Sequence, residues 1–341
     1  MGIQTAFRPL TTTSVGSFPR PAWFAQTERN KLTFQLSGAA LEDAKRDATI
    51  VVLREQELLG LDVLTDGEMP RTTNFIFHVA GKWEGVDTQT LGHKATYRNR
   101  PVDRLLPRVT GPVRRTTPST LDDLKLAKTY TNKPVKIAVP GPMTVIDSSA
   151  NVFYKNEDEE AMDIATAING ELRDLQAAGC EVLQIDEPAM TRYHDKVKAY
   201  GAAALDRCLE GIHVPTIVHL CYGYPGGVSL QHNYEYVDLL PELMKTRIGG
   251  FTVEFGRSPF DPAVLKACGD RIVMFGCVDP GNSPAASADS IERKISQVLE
   301  HLDPKQVWLA PDCGLMTISR ELAHAKLSAM VEAGDRVRAR L

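Results

Sequence analysis

Eight short β-rich runs recur along the chain, most of them followed by a polar cluster or by a stretch of helical periodicity. The runs are Thr11–Val15, Asp62–Thr65, Val135–Val139, Glu181–Ile185, Thr216–His219, Gly250–Glu254, Ile272–Cys277 and Val307–Ala310. Several are almost continuously apolar, as strands buried on both faces of a parallel sheet must be. Apolar residues at helical spacing fill intervening segments, among them Ala40–Leu59, Glu159–Ala178, Tyr200–Gly211, Ile291–Leu302 and Arg320–Ala339. This alternation predicts an α/β fold, a single (β/α)8 barrel, and 341 residues suit one such catalytic domain over 1–341. A doubly wound sheet is the competing architecture, but no G-x-G-x-x-G follows the first strand. Two stretches break the repeat. Gly92–Pro118, rich in Arg and Pro, reads as an inserted hairpin or long loop. Cys221–Tyr234, rich in Gly and Tyr, reads as a functional loop at the barrel mouth.

Composition narrows the function classes. The net charge is −4 with both signs interspersed, and no basic block suggests a nucleic-acid partner. No apolar run has membrane-spanning length, and the N-terminal segment lacks the apolar core of a signal peptide, so a cytoplasmic protein is expected. A disulfide framework is not expected for the six cysteines, Cys180, Cys208, Cys221, Cys268, Cys277 and Cys313. Most should be small buried residues, and any exceptions should be ligands or nucleophiles.

The polar residues fall at the C-terminal ends of the proposed strands: Gly16-Ser17, Asp66-Gly67-Glu68, Asp186-Glu187, His219 with Cys221, Glu254, and Asp312-Cys313. In a (β/α)8 barrel these ends converge on one face, where active sites lie. In His219-Leu220-Cys221, residues two apart on a strand point the same way, so an imidazole and a thiolate can aim at one point. Cys313 and Glu254 leave separate strand ends. Two thiolates, an imidazole and a carboxylate suit tetrahedral zinc. Taken alone, H-x-C also describes a buried His beside a buried Cys, Glu254 could pair with Arg257, and Cys313 could pack in the core. Ligands dispersed around a barrel mouth, with one exchangeable carboxylate, favour a catalytic over a structural metal. A thiol binding there would lose its proton and become a nucleophile toward an alkyl group.

The stretches TTTSVGSFPRP, DVLTDGEMPR, VPGPMT, LQIDEPAM, VHLCYG, FTVEFGRS and LAPDCGLMT, in that order from Thr11 onward, resemble the catalytic half of the cobalamin-independent methionine synthases. The resemblance implies a zinc-dependent methyltransferase that forms methionine from homocysteine, with zinc on His219, Cys221, Glu254 and Cys313. It implies that Glu68 and Asp186 hold the amino group of homocysteine and that Gly16 and Ser17 contact its carboxylate. Asp186 and Glu254 are the expected catalytic carboxylates.

Three departures bear on the methyl donor. Full-length family members carry a second, N-terminal barrel, which this chain is expected to lack. The family's tryptophan after its GPMT-like motif, where the folate ring stacks, is replaced in a region containing Ser148 and Ser149. The family's histidine after the seventh strand is replaced by Val278 or Asp279. A stand-alone, core-type enzyme is therefore expected, taking its methyl group from a methyl-corrinoid or other carrier protein rather than polyglutamyl folate. Arginines of the insertion (Arg98, Arg100, Arg104, Arg108, Arg114 and Arg115) are candidates to grip an anionic donor or acidic carrier. The competing activity is alkyl transfer to another small thiol, as in the epoxyalkane–coenzyme M transferases. A sulfonate thiol without an amine would sit badly against Glu68 and Asp186. Two further alternatives are a metal-free decarboxylase of the uroporphyrinogen decarboxylase kind and a non-catalytic zinc-binding barrel.

Overall fold

The computed structural model describes residues 7–28, 31–71, 74–97, 101–222, 236–257 and 259–341. Its main sheet contains eight parallel strands: β1 (Thr11–Thr12), β2 (Leu64–Thr65), β3 (Val135–Pro140), β4 (Val182–Asp186), β5 (Thr216–His219), β6 (Gly250–Glu254), β7 (Ile272–Val278) and β8 (Val307–Pro311). They lie in the order β1-β8-β7-β6-β5-β4-β3-β2. A parallel bridge between Thr13 and Val63 joins the two edges, so no edge is left open.

Side-chain alternation sorts each strand into two environments. Val15, Val63, Val182, Ile217, Ile272, Met274, Trp308 and Ala310 form a cluster inside the barrel. Their neighbours of opposite parity, such as Leu183, Ile185, Val218, Phe251, Val253, Val273, Phe275 and Leu309, belong to the larger outer core with the helices. The same parity carries Asp186, His219 and Glu254 onto the top of the interior stack. Each is the last residue of its strand.

The expected helices appear with small shifts in their ends: Gly38–Leu58, Glu157–Ala177, Ala288–Leu299 and Arg320–Arg338. Tyr200–Gly211 differs, since a π-turn over Val197–Gly201 leads into a helix over Ala202–Cys208. The insertion is an antiparallel hairpin, but it begins before Gly92, pairing Glu84–Tyr97 with Pro101–Arg114. A smaller hairpin, Ala25–Glu28 with Lys31–Phe34, has no counterpart in the expected strands. Among the described residues no helix is long and apolar enough to cross a membrane.

Candidate active site

His219 closes β5, Cys221 lies two residues further on, and Cys313 follows β8. Among the described residues, the ligand atoms of these three lie within 4.8 Å of one another, and all three side chains are buried. The two sulfurs are 3.8 Å apart, and Cys313 Sγ is 3.8 Å from His219 Nε2. Tetrahedral zinc with ordinary Zn–S and Zn–N lengths requires separations of about 3.8 and about 3.6 Å. No disulfide forms.

Thr252, on β6, sets the imidazole. Its Oγ1 lies 2.8 Å from His219 Nδ1, accepts the Leu220 N–H at 2.8 Å, and donates toward the Leu220 carbonyl at 3.3 Å. With the hydroxyl proton so directed, Nδ1–H is the donor to Thr252, and Nε2 presents its lone pair to the sulfurs.

Glu254 lies outside that group of three. Its Oε1 accepts the Tyr222 N–H at 2.9 Å, which holds the carboxylate at the rim. The turn after it is pinned by Asp312, which accepts the backbone N–H groups of Phe255, Gly256 and Arg257 at 3.1, 2.8 and 2.7 Å. A Cβ on Gly276 would lie 2.5 Å from Asp312 Oδ1, so β7 needs glycine there. Burial, with the charges of Cys221 and Asp312, pushes the Glu254 carboxyl well up. The hydrogen bond to Cys221, burial, and the charges of Cys221 and Glu254 push the Cys313 thiol up. A set of would-be anions crowded in this way, with soft and borderline donors, fits a zinc ion.

Next to this group, Asp186 is the neighbour of His219 in the β4–β5 register. Glu68 has left-handed backbone, φ 60°, directly after Gly67 at φ 64°. A non-glycine residue held there is a strained position of the kind that clusters at functional sites. Gly67 cannot be larger, since a Cβ would meet Val52 Cγ1 at 2.6 Å. Gly16 faces the Glu68 carboxylate, whose Oε1 lies 3.0 Å from where a Cβ would stand. Ser17 is buried, and its carbonyl accepts the Leu315 N–H at 2.8 Å. Glu68 does approach Arg71, with Oε1 3.4 Å from Nη1. Arg71 is itself buried, and the charges of Glu68, Asp66, Asp123 and Asp186 act on it against its desolvation. Burial raises Asp66 to about 6. Burial also raises Asp186, against the opposing effects of His219 and of a hydrogen bond from Gln184.

Glu187, the neighbour of Asp186, has a different task. It accepts the N–H groups of Met143 and Thr144 and the Thr144 hydroxyl at 3.0, 2.9 and 2.8 Å. It thereby caps the helix Pro142–Asp147 from outside.

The other residues singled out in the sequence fall as follows. Ser149 closes that short helix through a 2.9 Å bond to the Val145 carbonyl. Beside it, Asp147 pairs with Arg192 at 2.7 Å and accepts from the Tyr193 hydroxyl at 2.9 Å. Asp279 serves a turn, accepting the Gly281 N–H at 2.8 Å and the Ser283 hydroxyl at 2.5 Å. Arg115 is not available to a donor. It bonds Glu171 at 2.7 Å and pairs with Asp174, and the buried Glu171 carboxylate also takes the N–H groups of Ser119 and Thr120. Arg115 therefore anchors the hairpin to the barrel. Arg114 is exposed, Arg104 and Arg108 are half-buried, and Arg98 and Arg100 lie outside the described residues, as does most of the Cys221–Tyr234 loop.

Four side chains central to this mouth went unnoticed or undervalued in the sequence: Arg71, Lys136, Gln184 and Thr252. For the last three the available signal is a polar residue of inward parity in an apolar strand: VKIAV, VLQID and GFTVE.

Residues 10–336 match the family model described as the catalytic domain of cobalamin-independent synthase. The methionine synthase of Sulfolobus acidocaldarius is 31% identical over 325 residues, covering 95% of this chain and 91% of that protein. The methionine synthase of Saccharolobus solfataricus is 31% identical over 337 residues, covering 97% and 96%. The structure of a B12-independent methionine synthase from Shewanella sp. W3-18-1, in complex with selenomethionine, superimposes with a TM-score of 0.91 at 30% identity, covering 98% of this chain and 99% of that one. The chain therefore belongs to the catalytic-domain family of the cobalamin-independent methionine synthases and is, with them, a methyltransferase.

Proposed function

We propose that this chain methylates the thiol of homocysteine to form methionine, with zinc held by His219, Cys221 and Cys313 and with Glu254 as a displaceable fourth ligand. The observation that carries this reading is the convergence of those three buried side chains at the C-terminal mouth of the barrel. Zinc, when bound, lowers the proton affinity of a coordinating thiol and keeps it nucleophilic at neutral pH. The chain's own residues supply the rest. Glu254, tethered by the Tyr222 N–H, can leave the three strong ligands without unfolding its strand. Glu68 and Asp186 face the ammonium, and Gly16 and Ser17 lie where the carboxylate would dock. If all are ionised, the buried Asp66, Asp186, Arg71 and Lys136 together with the half-buried Glu68 carry three negative and two positive charges. An ammonium completes it. In the transfer the sulfur lone pair forms the new S–CH3 bond, and the donor departs with the electrons of the bond it loses. The selenomethionine in the Shewanella relative is a product-like ligand, which agrees with this assignment.

For the donor we propose a carrier other than polyglutamyl folate, such as a methyl-corrinoid protein. The stretch GPMTVIDSSANVFY contains no tryptophan, and the helix Pro142–Asp147 ends in Ser148, Ser149 and the Asp147–Arg192 pair. The test is to incubate zinc-loaded protein with homocysteine and, separately, methylcobalamin, a methyl-corrinoid protein and methyl-folates, then measure methionine. Methionine from the corrinoid donors is expected. Efficient turnover with polyglutamyl methyl-folate alone overturns the donor assignment, and no methionine from any donor overturns the whole reading.

A further inference from the structure

The interior of the barrel holds a basic side chain that packing does not require. Lys136, on β3, is fully buried, and its Nζ reaches Met274 of the inner cluster. A buried ammonium is costly unless every donor is paired. Here its Nζ donates to the carbonyls of Ser14 and Val15 at 2.8 and 3.1 Å, contacts Met274 Sδ at 3.8 Å, and donates to Gln184 Oε1. Gln184 then donates from Nε2 to Asp186 Oδ1 at 2.7 Å.

Three oxygen acceptors surround Nζ and favour its protonated form against the burial that pushes the amine down to about 7; protonated, it has donors only and so meets the oxygen of the Gln184 amide. The amide N–H is thereby turned toward Asp186, whose carboxylate accepts it. The same ammonium grips the end of the β1 segment immediately before Gly16 and Ser17. One buried group thus connects the two parts of the mouth assigned to the amino acid.

We propose that Lys136 is a positioning residue for amino-acid recognition: through Gln184 it orients Asp186 for the ammonium, and through Ser14 and Val15 it places Gly16-Ser17 for the carboxylate. This rests on the homocysteine reading above.

The test measures binding of three thiols to zinc-loaded protein by calorimetry: homocysteine, 3-aminopropanethiol (no carboxylate) and 4-mercaptobutanoate (no amine). Gln184→Leu should weaken the two amine-bearing thiols by roughly 5- to 10-fold, the worth of one oriented hydrogen bond, while 4-mercaptobutanoate stays within about twofold. Lys136→Met should weaken 4-mercaptobutanoate as well, because the β1 end loosens. Equal losses on all three thiols in Gln184→Leu, or none, overturn the Asp186 arm. Unchanged 4-mercaptobutanoate binding in Lys136→Met overturns the β1 arm. If Lys136→Met does not fold, Lys136→Gln takes its place with the same expected and overturning outcomes for the β1 arm, and Gln184→Leu decides the Asp186 arm. Asp186→Asn separates the two levels. If it leaves preference for the amine intact, the homocysteine reading of Asp186 falls; if it abolishes that preference while Gln184→Leu does not touch it, only the relay falls.

Discussion

Across the mouth, the β5–β6–β8 side and the β1–β2–β4 side solve the problem of buried polarity by different means. On the first, His219, Cys221 and Cys313 crowd together, and the partners are uncharged: the Thr252 hydroxyl orients the His219 imidazole and the Tyr222 N–H holds the Glu254 carboxylate beside them. On the second, the carboxyls of Asp66, Glu68 and Asp186 favour the charged form of the buried Arg71 against its desolvation, and Asp186 does the same for Lys136, whose amine burial pushes down to about 7. The difference teaches that one barrel mouth can set soft and borderline donors beside a cluster of carboxyls by giving each its own kind of partner, hydroxyl and backbone N–H on one side and basic side chains on the other.

The comparison breaks first at its metal side. Cys313→Ser should weaken zinc retention by more than about 100-fold in a chelator competition, since it removes a strong ligand outright. Full zinc occupancy in that variant would reject the ligand set.

Next in size is the carboxylate side. Asp186→Asn or Glu68→Gln should raise the homocysteine dissociation constant by roughly 10- to 100-fold, the range of a charge-assisted hydrogen bond. Zinc content should not change. Loss of zinc together with homocysteine binding would show that the two sides are not separable.

A smaller effect probes the neutral partner. Thr252→Val keeps the shape but removes the acceptor for Nδ1–H, and zinc affinity should fall by about 10-fold. An unchanged affinity would mean that packing alone orients the imidazole. The smallest effect concerns Glu254→Gln, which should retain zinc better than either cysteine variant. In the wild type, X-ray absorption should show one sulfur neighbour gained when homocysteine is added. A constant sulfur count at saturation would contradict displacement of Glu254.

The alternation of short strands and helices, the polar residues at strand ends, and the H-x-C pair were legible in the sequence because each depends on local periodicity. Period-two alternation directs Asp186, His219 and Glu254 to the same face as the interior residues two positions earlier, whatever the strands' partners. Tertiary structure decided what no local spacing encodes. It held the Glu254 carboxylate, through a backbone N–H from the neighbouring loop, outside the group formed by His219, Cys221 and Cys313. It converted Arg115 from a candidate rim charge into an anchor on Glu171, and gave Glu187 to a helix cap while its neighbour Asp186 faces the mouth. It also joined Lys136, Gln184 and Asp186 across strands whose residues are far apart in sequence. Those pairings exist only once the barrel closes and its register is set, because a buried charge finds its partners across the interior rather than along its own strand.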